Sequence, residues 1–146
     1  MSRLKQFLGP GEMAVAIGLG LLVLRLGLGI AMALAHGVGK LPVSEGFVAS
    51  TASLGFPLPT VFAWAAALSE FAGGLLLALG LLTRPAAAAL VSTMLVAFFL
   101  AHAGDPFGDR EKAFVYGVGF LALLFAGGGR YSLDAVFFRE KRPLSP

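Results

Sequence analysis

The fold of this chain is decided near its start, by an apolar stretch that runs from Met13 to Ala35 and reads MAVAIGLGLLVLRLGLGIAMALA. A helix that crosses a bilayer needs about 20 predominantly apolar residues, and this stretch reaches that length with a single charge, Arg25. The stretch therefore predicts a membrane-spanning helix at the beginning of the chain.

Three more apolar stretches follow. Val61–Leu82 contains one charge, Glu70, and neither 85–103 nor 113–129 contains any. The last stretch lies at the short end of the usual range for a span, roughly 17–25 residues. Together the stretches predict an all-α fold, a membrane-embedded four-helix bundle forming one domain over residues 1–146, with spans at about 13–36, 60–82, 85–103 and 112–128.

The composition agrees with a membrane protein and excludes several other classes. Hydrophobic residues make up 58% of the chain and charged residues 13%, whereas a soluble domain carries about 25% charge. A chain of 146 residues has too little interior to bury so many apolar side chains. The net charge is only +3, with the basic residues at segment ends, which argues against a nucleic-acid-binding module. Because the chain has no cysteine, it contains no disulfide, thiolate metal site or cysteine nucleophile.

Two short helices are predicted outside the spans. Ser44 is a suitable N-cap and Gly55 a suitable C-terminal stop for a helix between the first two spans, with Phe47, Val48 and Leu54 on one face. A similar helix is predicted over 132–140, after the last span. Both are expected to lie in the membrane interface.

The distribution of Lys and Arg predicts the orientation in the membrane. Seven of these residues fall on the side of the termini and three on the other side, so the positive-inside rule places both termini of a multi-pass inner-membrane protein in the cytoplasm. The seven are Arg3, Lys5, Arg84, Arg130, Arg139, Lys141 and Arg142, and the three are Lys40, Arg110 and Lys112.

Two charged residues fall inside predicted spans. Arg25 and Glu70 lie near the middle of antiparallel helices, so we expect them at one depth in the bilayer. An unpaired charge there costs about 2.5–3.5 kcal/mol on insertion scales, which favours pairing. The pair would either fix the register of the helices or hold a carboxylate that carries protons or binds a ligand.

A second polar group is predicted at the outer ends of the helices. His36 and His102 close the first and third spans, and Lys40 follows His36 by four residues. His36 lies 11 residues after Arg25, about three helical turns, so the two share a face. The candidate pocket therefore has Glu70, His36 and His102 as catalytic residues and Arg25 and Lys40 as ligand-binding residues.

Several ligands suit such a pocket. A quinone needs hydrogen-bond donors at its carbonyls and a group that exchanges protons, and histidine or a buried glutamate provides that group. Two histidines on different helices also suit a haem iron. A metal site with Asp105 and Asp109 matches no ligand spacing, and none is assigned. The plain alternative is that each histidine bonds headgroups or loop carbonyls.

The sequence resembles the DoxX family of four-helix membrane proteins, over roughly residues 13 to 135. The most specific part is Glu70-x-x-Gly73-Gly74-Leu75-Leu76-Leu77-x-Leu79-Gly80-Leu81-Leu82-Thr83-Arg84. The other matching features are Arg25, His36-Gly37-x-Gly39-Lys40-Leu41, Leu54-Gly55-Phe56-Pro57, His102 and Gly127-x-Gly129-Arg130-x-Ser132-Leu133-Asp134.

This resemblance implies a bacterial or archaeal inner-membrane protein linked to redox work, either a subunit similar to that of thiosulfate:quinone oxidoreductase or part of an oxidative-stress membrane complex. Electrons would then come from a soluble redox partner. The alternative hypothesis is a non-catalytic anchor, assembly factor or lipid-binding scaffold. The expected partners are the lipid bilayer, a quinone and that redox subunit, with a homo-oligomer left open and no nucleic acid.

Overall fold

The computed structural model describes residues 10–138, and this part of the chain is helical, with no β-strand. The prediction of an all-α membrane bundle is confirmed. The α-helices are α1 (Pro10–Ala31), α2 (Glu45–Ser53), α3 (Pro59–Leu68), α4 (Gly74–Leu79), α5 (Thr83–Val96), α6 (Phe107–Ala126) and α7 (Leu133–Phe137). Between or after them lie π-helical turns at Met32–Gly37, Ser69–Gly73 and Ala97–Ala101 and a 3₁₀ turn at Val38–Lys40.

Three continuous helical units are long and apolar enough to cross a membrane. They are the first span, Ala14–Lys40, the second span, Pro59–Leu79, and the third span, Thr83–Ala101. The fourth unit, α6, packs mainly against α5. Its first turns hold four charged residues, 109–112, so its crossing of the membrane stays a prediction.

The first and second spans approach each other at two glycines. A Cβ atom added to Gly29 would lie 2.5 Å from the carbonyl oxygen of Gly74, and one added to Gly74 would lie 2.8 Å from the carbonyl oxygen of Gly29. Only glycine permits this approach of two membrane helices. The contact sets the register of the two spans, and with it the partners of the charged residues. The buried core beside it consists of Met32, Leu77, Ala87, Leu90, Met94, Phe120 and Leu123.

Both predicted short helices are present. The Ser44 side chain accepts a hydrogen bond from the Phe47 amide at the start of α2, and Gly55, with φ +85°, follows its end. The Ser132 side chain accepts from the Ala135 amide at the start of α7, whereas the predicted end of this helix lies outside the described residues. Their position in the membrane interface stays a prediction.

The orientation also stays a prediction. Five of the seven basic residues that predict it lie outside the part of the chain that the structure describes: Arg3, Lys5, Arg139, Lys141 and Arg142.

Candidate functional site

The centre of the candidate site is an ion pair between Lys40 and Glu70. The Lys40 Nζ atom donates to both carboxylate oxygens of Glu70, at 2.6 Å from Oε1 and 2.5 Å from Oε2. Glu70 is buried, with 3% of its surface exposed, whereas the Lys40 side chain is 32% exposed. One end of the site is therefore enclosed in protein and the other is open.

Two π-helical turns bring these side chains together. Glu70 lies in the turn Ser69–Gly73, and the turn Met32–Gly37 leads into the 3₁₀ turn that ends at Lys40. A Cβ atom on Gly37 would lie 2.5 Å from the backbone of Phe71, so the two turns touch through a glycine. π-Helical turns within α-helices are frequent at functional sites, because the extra residue redirects the side chains that follow.

A cavity of about 400 Å³ opens beside the ion pair. Helix α2 covers it, and α3 and α5 form its walls. Its lining is mostly apolar and includes Phe47, Phe62, Ala66, Ala89, Val96 and Ala97. Lys40, Glu70 and the hydroxyls of Thr51, Ser69, Ser92 and Thr93 are the polar groups that line it. An apolar chamber of this size with a few convergent polar groups is typical of a small-molecule site.

Lys40 also connects the ion pair to the cover of the cavity. Its Nζ atom lies 5.3 Å from the centre of the Phe47 ring, within range of a cation–π interaction. The same ammonium group therefore contacts Glu70 in the second span and Phe47 in α2, so a ligand that moves Lys40 would disturb both contacts.

The expected pairing of Arg25 with Glu70 is wrong. Arg25 is fully buried and donates to backbone carbonyl oxygens, those of Leu77 at 3.4 Å, Ala78 at 3.1 Å and Tyr131 at 2.8 Å. The reason is the register set by Gly29 and Gly74. It places Arg25 beside the carboxyl end of the second span, and Glu70 beside the carboxyl end of the first span. Arg25 thus holds the end of the second span and the chain after α6.

Asp134 is a structural part of this end of the bundle that the sequence did not single out as a site residue. Its carboxylate accepts hydrogen bonds from the amides of Leu82 and Thr83, at 2.7 and 2.9 Å, and so caps the start of the third span. Burial alone would raise the pKa of the Asp134 carboxyl, but the Thr83 side chain, these amides and the nearby Arg25 charge lower it, and the pKa lies below its ordinary value. The sequence feature that pointed to Asp134 was its position at the end of the motif Gly127-x-Gly129-Arg130-x-Ser132-Leu133-Asp134.

The two histidines do not line the cavity. His36 is half-buried and packs edge-on against Tyr116, with 5.5 Å between ring centres. The Nδ1 atom of His102 lies 2.7 Å from a carboxylate oxygen of Asp105, in the turn after the third span. Within residues 10–138, no group of three or more His, Asp or Glu side chains is placed to hold a metal ion. Of the five predicted site residues, the cavity brings together Lys40 and Glu70.

Comparison with known proteins identifies a family and a relative of this chain. The model of the DoxX family matches residues 20–103. A Haemophilus influenzae protein, named only as an uncharacterized protein, is 38% identical over 78 residues, which covers 49% of this chain and 58% of that protein. The match therefore spans less than two thirds of the relative's length. No solved structure matches the chain.

Proposed function

Since this chain belongs to the DoxX family of membrane proteins, we propose that it is a membrane subunit of a quinone-linked oxidoreductase or oxidative-stress complex in the inner membrane, and that a quinone occupies the cavity beside Lys40 and Glu70. The observation that carries this proposal is the apolar chamber of about 400 Å³ with a single ion pair at its polar end. A quinone has the same division into an apolar ring and tail and a few polar oxygens.

The residues of the cavity fit the two requirements of quinone chemistry. The Lys40 ammonium group is a donor to a carbonyl oxygen, and the Glu70 carboxylate accepts a proton when a quinol is oxidised or returns one when a quinone is reduced. The interconversion moves two electrons and two protons. In this proposal a soluble partner subunit exchanges the two electrons. Glu70 accepts or returns one proton, and the other is exchanged with water at the open end of the site, beside the exposed Lys40 side chain.

Binding to the cavity is tested with a benzoquinone that carries a short alkyl tail. Ala89 lines the cavity and Ala88 does not, so Ala89→Phe fills the chamber while Ala88→Phe adds the same side chain on an exposed face of α5. We expect calorimetric titration of the purified protein in detergent to show binding that Ala89→Phe abolishes and Ala88→Phe retains. Equal heats for all three proteins would mean partition into detergent and would overturn the proposal.

The second candidate is a non-catalytic anchor, assembly factor or lipid-binding scaffold. The closed pair of Lys40 and Glu70 favours it, since two charges that satisfy each other are also a means of fixing helix register. Native mass spectrometry of protein released gently from its own membrane separates the two candidates. A co-released quinone mass supports the first candidate, whereas phospholipid alone, or a soluble chain without quinone, supports the second. The same spectrum reports whether a homo-oligomer forms.

A further inference from the structure

Three of the four hydroxyl groups that line the cavity, those of Thr51, Ser92 and Thr93, donate their hydrogens to other protein atoms. The Ser92 hydroxyl donates to the Ala88 carbonyl oxygen at 3.0 Å, and the Thr51 hydroxyl donates to the Phe47 carbonyl oxygen at 2.8 Å. These bonds to the preceding helical turn are the usual way in which Ser and Thr satisfy their hydrogens inside a helix. Each oxygen keeps lone pairs that are free to accept.

Thr93 follows the same rule. Its hydroxyl oxygen lies 3.1 Å from the Ala89 carbonyl oxygen and 3.1 Å from the Ser69 hydroxyl oxygen, and both of these atoms are placed to accept from it. A hydroxyl has one hydrogen, so either acceptor satisfies it. The Thr93 hydroxyl therefore has no hydrogen left for a ligand.

Donors and acceptors are therefore unevenly placed in the cavity. Among its lining side chains in the described part of the chain, Lys40 alone offers N–H groups, and it already contacts Glu70. The Glu70 carboxylate and the hydroxyls of Thr51, Ser92 and Thr93, whose hydrogens are already used, offer acceptors. A ligand that fits this pattern has one oxygen that accepts from Lys40 and at least one O–H group that donates to the wall.

We infer that the site binds a quinol, a ring with O–H donors, in preference to the oxidised quinone. A quinone has carbonyl oxygens only, and a carbonyl facing the lone pairs of Ser92 and Thr93 forms no hydrogen bond there. A quinol donates to one of these oxygens and accepts from Lys40 with the other. This inference rests on the proposed function and names the redox form that the same cavity holds more tightly.

The test compares three ligands on the purified wild-type protein under anaerobic conditions: a short-tailed benzoquinone, its quinol, and the dimethyl ether of that quinol, which keeps the ring and removes both donors. One additional hydrogen bond corresponds to about fivefold in affinity. We expect the quinol to bind about fivefold more tightly than the quinone. The dimethyl ether should bind no better than the quinone.

Substitutions at Ser92 and Thr93 test whether the preference for quinol depends on the hydroxyl groups of the cavity wall. Ser92→Ala and Thr93→Val remove acceptors, and together they should bring the ratio of quinol to quinone affinity close to one, while Thr93→Ser should restore part of it. Ser53→Ala is the matched control, since Ser53 donates to Ser50 on an exposed face of α2 and does not line the cavity. Retained quinone binding in the variants shows that they are folded.

The outcomes separate this inference from the function on which it rests. If the quinone binds as tightly as the quinol, or if the wall variants leave the ratio unchanged, the preference is overturned and the quinone site stands. If neither ligand binds the wild type more than it binds Ala89→Phe, both the site and the preference are overturned.

Discussion

The ammonium group of Lys40 contacts both oxygens of the Glu70 carboxylate and joins the end of the first span to the middle of the second, across 30 residues of chain. The two partners differ in burial, because Glu70 is enclosed while Lys40 reaches the surface. Losing one partner therefore does not have the same consequence as losing the other.

Removing Lys40 should be the more damaging change. Lys40→Met leaves the Glu70 carboxylate buried without a partner, and we expect it to lower the free energy of unfolding by about 3 kcal/mol. Glu70→Gln leaves an ammonium group that can extend into water, and should cost about 1 kcal/mol. Chemical unfolding in detergent measures both values. The double variant should be more stable than Lys40→Met alone. If the losses of the two single variants simply add in the double variant, there is no coupling energy between Lys40 and Glu70.

Arg25 is expected to stabilise the fold rather than bind a ligand. Arg25→Met removes the donor for three backbone carbonyls and should cost about 3 kcal/mol of unfolding free energy. Arg25→Lys should recover only part of this, because an ammonium group lacks the planar fork that serves two directions at once. Arg84→Met is the control, since Arg84 makes one exposed contact, to the Phe125 carbonyl. A quinone affinity that falls in Arg25→Lys while stability is kept would contradict this assignment.

The approach of the first two spans should fail when a methyl group is added at their contact. Gly29→Ala places a Cβ atom against the backbone of Gly74 and Ala78, and we expect a loss of about 1–3 kcal/mol. Gly27→Ala is the matched control on the same helix, because a Cβ atom there meets no atom within 4 Å. In thermal unfolding in detergent, the midpoint temperature of Gly27→Ala should equal or exceed that of the wild type, since alanine is a better helix former than glycine. Equal losses at both positions would argue against this contact.

Asp134 should make stability depend on pH in the acid range. Its pKa is lower in the folded protein than in the unfolded chain, so its contribution is fully present above the unfolded value, about 3.9, and is lost as the pH falls through the folded value. Asp134→Asn should cost about 1 kcal/mol at pH 7, as the loss of a helix cap does. The difference from wild type should stay constant down to about pH 5 and shrink below about pH 4.

The elements of the fold were largely predictable because they depend on local chemistry. Continuous apolar residues identify the first three spans wherever they pack, and Ser44 and Gly55 begin and end α2 through contacts within a few residues. The prediction of the site was less complete. Lys40 and Glu70 were both identified as candidates, but as parts of a larger group that the fold divides between two ends of the bundle.

The sequence by itself determined that this chain is an all-α membrane protein, because hydropathy and helix capping act over neighbouring residues. Only the tertiary structure decided which charges meet. Counting residues from the helix ends places Arg25 and Glu70 at one depth, but the depth of a side chain also depends on how far one helix is shifted along another. The approach of Gly29 to Gly74 sets that shift. As a result, Glu70 forms an ion pair with Lys40, and Arg25 donates hydrogen bonds to backbone carbonyls. Contacts between residues distant in the chain set this register, and no local pattern encodes it.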